Sequence, residues 1–130
     1  MTPVRSAIEL RLSKGFWYVA TPYTNYADGI DAAYNDAREV DAMLDWARVP
    51  RFTPIVSAHE IAMASGIDPK DHDFWMGVDR PFMERAHGLI IVELDGWEQS
   101  RGVTMERLYF EGHERPIHLL DPHRFDYVSG

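Results

Sequence analysis

The chain contains no cysteine among its 130 residues. Disulfides, thiolate metal sites and a thiol nucleophile are therefore excluded. No apolar run approaches the roughly 18–20 residues that span a bilayer. Arg5, Glu9, Arg11 and Lys14 interrupt the stretch where a signal-peptide core would lie. Positive charge is also scarce: 13 Lys and Arg stand against 21 Asp and Glu, a formal net charge of −8. Binding to polymeric nucleic acid or to an anionic membrane needs clustered positive charge, so the balance argues against both. A small anion remains possible, because backbone N–H groups at a helix start hold a phosphate without net basicity. The six histidines show no metal-ligand spacing. His59-Glu60 opens like a zinc-protease helix, but Met63 stands where the second histidine is required. Neither metal nor cofactor is expected, and the composition points to a cytoplasmic protein.

What is present suits one globular core: 45% of the residues are hydrophobic, which rules out wholesale disorder. Residues 1–15 read as an N-terminal arm, frayed or folded into a short helix, and residues 16–130 as the domain proper. Phe16–Ala20 is a β-prone run ended by Pro22, and Thr21–Asn25 forms the loop after it. From Ala27 to about Arg48, apolar residues recur at steps of three and four, the mark of an amphipathic helix. Phe52–Val56 reads as a short strand with Pro54 at its edge, and Ser57–Asp73 as a loop with a broken helical turn. Phe74–Arg85 is helical, with Pro81 marking a kink or a start. Gly88–Leu94 is apolar on both faces, as a central strand must be. Ser100 caps a helix running to Gly112, and Arg115–Leu120 is a last strand. This alternation predicts a single-domain, three-layer α/β fold of the flavodoxin or Rossmann kind. Its open, mostly parallel sheet carries helices on both faces and binds ligands at the carboxyl ends of its strands.

The chemistry concentrates after the central strand, in Gly96–Glu106. On a helix beginning near Ser100, Glu106 shares its stripe with Gly102, Val103, Tyr109 and Phe110, which faces the core. Unpaired acids avoid burial, so this carboxylate is either a boundary residue satisfied by an arginine or hydroxyl, or a working group. The start of that helix offers free N–H groups, and Gly102 admits a close ligand. Asp79, just before Pro81, is placed near a helix start, where the dipole favours a carboxylate; Asp71 and Asp73 read as capping charge. Tyr18 and the four tryptophans read most simply as packing residues.

Taken together, Tyr18–Thr24, Asp79, the apolar strand and Gly96–Gly102 with Glu106 resemble the nucleoside 2-deoxyribosyltransferase superfamily. The closest likeness is to a small bacterial and phage branch catalogued as a domain of unknown function. Similarity extends to the deoxynucleoside-monophosphate and CMP N-glycosidases, and covers about Phe16 to Leu120. The resemblance implies that Glu106 is a nucleophile at C1′, that Asp79 holds or protonates the departing base, and that Tyr18 orients Glu106. It implies that Ser100 and the N–H groups near Gly102 seat a 5′-phosphate or 5′-hydroxyl, and it places Thr21, Pro22 and Tyr23 along the substrate. The glycosidases carry a more glycine- and arginine-containing turn at the position of Thr21-Pro22-Tyr23. The implied ligand is a nucleoside or nucleotide, the implied assembly a homo-oligomer whose subunits complete each other's pockets. A non-catalytic nucleotide-binding module on the same fold is the alternative.

Overall fold

The computed structural model describes residues 1–128, so the last two residues of the expected 16–130 domain lie outside the described residues. Five parallel strands form one sheet: β1 (Thr2–Val4), β2 (Trp17–Ala20), β3 (Arg51–Phe52), β4 (Gly88–Val92) and β5 (Ile117–Leu120). Their spatial order is β1-β5-β4-β2-β3, with β2 and β4 paired from Trp17 opposite Gly88 to Ala20 opposite Ile91. The helices are α1 (Ile30–Trp46), α2 (Pro54–Ser65), α3 (His72–Arg85) and α4 (Arg101–Gly112). Every residue of β2 and β4 is buried, which accounts for their unbroken apolar sequences.

Successive residues of these strands point to opposite faces. Trp17, Val19, Ile90 and Val92 pack with Val40 and Leu44 of α1. Tyr18, Ala20, Leu89 and Ile91 pack with Met83 of α3 and with Val103 and Phe110 of α4. The expected three-layer α/β architecture is therefore present. From β2 the chain winds toward β3, and from β4 toward β5. The crevice outside the carboxyl ends of β2 and β4 is the topological switch point where such sheets bind ligands.

Three elements depart from expectation. The first 15 residues supply the edge strand β1, whose Val4 lies opposite Leu120, and a 3-10 turn at Ala7–Leu10. Val4, Ala7 and Leu10 are buried, and the Trp17 indole donates to the Leu10 carbonyl at 2.7 Å, so the arm is part of the core. The strand expected over Phe52–Val56 stops at Phe52. Pro54 instead takes the first turn of α2, where its missing N–H costs nothing, and most of the presumed Ser57–Asp73 loop is helix. Finally, α3 begins at His72, because the Asp71 side chain accepts from the Phe74 N–H at 3.2 Å and caps it. Pro81 lies inside that helix, so Asp79 sits in its interior and gains nothing from a helix start.

Candidate active site

Three side chains converge on the α3–α4 face of the sheet. Tyr18 projects from β2 and is fully buried between the rings of Phe52 and Phe110, with centroids 5.9 and 5.8 Å away. Glu106 comes from the inward stripe of α4, one turn before the buried Phe110. Asp79 comes from α3. The Arg115 guanidinium fixes how α3 and α4 sit, donating to the carbonyls of Met83 and Glu84 at 2.6 and 2.9 Å while lying over the rings of Tyr109 and Phe110. This clamp closes the carboxyl end of α3 with donors its own backbone lacks.

The three groups shift each other's proton affinities. Burial pushes the Glu106 carboxyl up to about 8; the nearby Asp79 charge adds to this, and the Tyr18 hydroxyl opposes it. Burial raises Asp79 to about 6. Tyr18 is held protonated by burial first, then by the charges of Glu106 and Asp79. At neutral pH the two carboxyls therefore share about one proton, held mainly by Glu106. The Tyr18 hydroxyl lies near enough to Glu106 for this coupling, yet it makes no hydrogen bond of ordinary geometry. An orphaned buried hydroxyl costs about 1–3 kcal/mol, and it is a group a ligand can satisfy. No boundary arginine pairs with Glu106 among the described residues, which removes one of the two bland explanations for its position.

A cleft of about 160 Å³ opens beside Asp79, lined by Phe52, Ser57, Ile61, Ile67, Phe74 and Trp75 among others. Its walls are apolar and aromatic apart from Asp79 and Ser57, a surface suited to a flat heterocycle. Sequence reasoning missed this cleft because α2 was read as loop. The signal was present: Thr53-Pro54 is a capping residue followed by proline at the first helical position, and Gly66 closes the helix in the left-handed region at φ 79°. A larger hollow, about 280 Å³, lies against Trp46, Arg48 and Tyr127, at the far end of α1 from the switch point.

The remaining expected residues fall at the carboxyl edge of the sheet. Ser100 caps α4, its hydroxyl accepting from the Val103 N–H at 3.3 Å. An added Cβ at Gly102 would meet no heavy atom within 4 Å, so the space over the first turn is open. Thr21 is buried at the end of β2 with its hydroxyl unpaired, and Pro22 is buried beside it. Tyr23 is also buried, but its hydroxyl is engaged: it lies 2.7 Å from Nδ1 of His59. The other imidazole nitrogen lies 3.3 Å from Asp31, and the Tyr34 ring stacks on His59 at 4.4 Å. Thus His59, considered above only as a zinc ligand, pins the loop after β2 to α2. No group of three or more metal-binding side chains occurs among the described residues.

Residues 15–121 match a protein family described as "Domain of unknown function (DUF1937)". No curated protein matches the chain.

Proposed function

The chain belongs to the DUF1937 family, whose function its description leaves open, and from that premise we propose that it breaks the N-glycosidic bond of a nucleoside or nucleoside 5′-monophosphate. The observation that carries this reading is the half-buried Glu106, its carboxyl raised by desolvation, beside a second carboxyl and an unpaired tyrosine hydroxyl at the switch point of a doubly wound sheet. The resemblance to nucleoside 2-deoxyribosyltransferases supplies the chemistry that such a pair performs.

In the first step a Glu106 oxygen forms a bond to C1′ while the C1′–N bond breaks. The electron pair leaves with the base, and Asp79 delivers a proton to that base. In the second step water, or a second base, attacks C1′ and gives its proton to Asp79, and Glu106 departs. Two inversions retain configuration, the logic of retaining glycosidases. The Tyr18 hydroxyl donates to Glu106 as the carboxylate leaves the sugar. The cleft beside Asp79 holds the base, and the start of α4 holds the 5′ end. Ionised Glu106 and protonated Asp79 are the reactive forms, so activity peaks between the two titrations, near pH 7.

A homo-oligomer accompanies this reading. Phe74, Val78 and Phe82 form an exposed apolar stripe on α3, beside exposed Ile61 of α2, at the open wall of the cleft. Sedimentation of the protein and of a Val78→Asp variant tests it, and a monomeric wild type refutes it.

The central test incubates the protein with a panel of nucleosides and 5′-monophosphates and follows free base by chromatography. A 2′-fluoro-arabinosyl nucleoside should leave an adduct on Glu106 by mass spectrometry, and an adduct on Asp79 would reverse the two roles. Saturable binding that survives Glu106→Ala, with no base released from any compound, would instead identify a binding module.

A further inference from the structure

Two pieces of the molecule must act together on the proposed substrate, and one buried histidine joins them. The first is α2, whose Ser57, Ala58 and Ile61 form a wall of the base cleft. The second is the loop after β2, which carries the buried, unpaired Thr21 hydroxyl at the switch point. His59 lies two residues from both Ser57 and Ile61, about half a turn round α2, so it faces away from the cleft. It is only 5% exposed, and each of its ring nitrogens has a partner.

Nδ1 lies 2.7 Å from the Tyr23 hydroxyl, and Nε2 lies 3.3 Å from the Asp31 carboxylate in the first turn of α1. The Tyr34 ring stacks on the imidazole at 4.4 Å and donates its own hydroxyl to Glu60, the next residue of α2, at 2.7 Å. A carboxylate only accepts, so the proton of the neutral ring sits on Nε2 and Nδ1 accepts from Tyr23. A charged ring donates from both nitrogens, and the Tyr23 oxygen then accepts. The link persists in either state, which makes it a strut and not a switch. Between its two anchors the loop has little freedom. Ala20 is paired opposite Ile91, Tyr23 is tied to His59, and Pro22 between them has a fixed φ. Thr21 is thereby held in place relative to the cleft wall on α2.

We propose that His59 is a positioning residue: through Tyr23 and Asp31 it holds the strand-end loop in register with the base cleft, so that the base and sugar of one substrate are gripped together. It touches no substrate itself, and its role rests on the glycosidic reading.

The test compares His59→Leu, His59→Asn and Tyr23→Phe with the wild type. It measures kcat and KM for base release from nucleosides, and the affinity of the matching free bases. A free base needs the cleft alone, whereas a nucleoside needs the cleft and the loop in register. Tyr23→Phe and His59→Leu should each raise KM for the nucleoside about tenfold, with free-base affinity unchanged. His59→Asn, whose amide falls near the position of Nδ1, should recover most of the loss. Should His59→Leu fail to fold, His59→Gln takes its place, since its amide falls nearer Nε2 and gives up Tyr23. A purely structural role would lower the folded fraction, and with it kcat, while leaving KM alone. Wild-type KM without the imidazole, no recovery by asparagine, or equal weakening of free base and nucleoside overturns the positioning role and leaves the glycosidic reading standing. An effect from Tyr23→Phe alone overturns it too, because Tyr23 would then touch the substrate itself. If no compound binds or releases base, both fall together.

Discussion

Trp17 and Tyr18 are adjacent residues of one strand, both buried, and they face opposite sides of the sheet. The indole N–H of Trp17 is satisfied by the Leu10 carbonyl at 2.7 Å, in a layer of aliphatic side chains from α1, β1 and the neighbouring strands. The hydroxyl of Tyr18 has no such partner, and its layer contains two carboxyls with raised proton affinity. Burial is equally deep on the two sides, so burial alone does not distinguish a working face from a supporting one. The difference lies in the carboxyls: the α1 side packs aliphatic side chains around an indole, with His118 Nδ1 buried there without a partner, whereas the other side sets Glu106 and Asp79 beside the Tyr18 hydroxyl.

The sharpest way to break this contrast is at Glu106. Replacement by alanine should lower base release by at least about a thousandfold, as loss of a nucleophile does, whereas the fold should survive. Asp79→Asn should cost about a hundredfold or more, the usual scale for a lost general acid. The activity limb near pH 6 should vanish with it; a limb that persists removes Asp79 from proton transfer.

Stability should respond in the reverse sense. The Glu106 carboxyl is raised in the folded chain to about 8 from an ordinary 4.5, so its favourable contribution is complete below about pH 4.5 and is lost as pH rises through 8. Glu106→Gln should therefore flatten the fall in melting temperature between pH 5 and 8, and exceed the wild type by about 1–3 kcal/mol above that range. A variant less stable than the wild type at pH 9 would show that the carboxylate is satisfied after all.

The smallest effects compare the neighbours directly. Tyr18→Phe should raise stability by about 1–3 kcal/mol, since it deletes a buried hydroxyl without a partner, and should slow base release about tenfold. Trp17→Phe should lose about 1–3 kcal/mol from the cavity and the abandoned carbonyl, with turnover per folded molecule unchanged. If thermal melts and assays gave the two substitutions the same signature, the division between faces would fail.

The legibility of these features in the sequence follows the physics of each. Gly88–Val92 and the amphipathic α1 were readable because burial on two faces, or on one stripe, writes a period into the chain. Glu106 was readable for the same reason, as a charge on an apolar stripe. Asp79 lies inside α3 and not at the helix start that Pro81 suggests, because the Asp71 cap begins the helix earlier and a proline removes only one bond from a helix held by its neighbours. The strand β1 was illegible: three residues carry no usable period, and its pairing with β5 is decided more than a hundred residues downstream. The cleft over α2 and α3 is legible only through the Thr53-Pro54 start and the Gly66 stop of α2, which carry no apolar period of their own.

That pairing has a consequence for the order of assembly. The strand β1 lies beside β5, Thr2 opposite His118 and Val4 opposite Leu120, although more than a hundred residues separate them in the chain. During synthesis β1 must wait, unpaired, until β5 has emerged, and closing so long a loop is slow. Tyr18, Asp79 and Glu106 are all translated before β5, so the polar face is laid down while the sheet still has an open edge. Deleting Thr2–Val4 would leave that edge of β5 open permanently, a template for the next molecule to add itself as a strand.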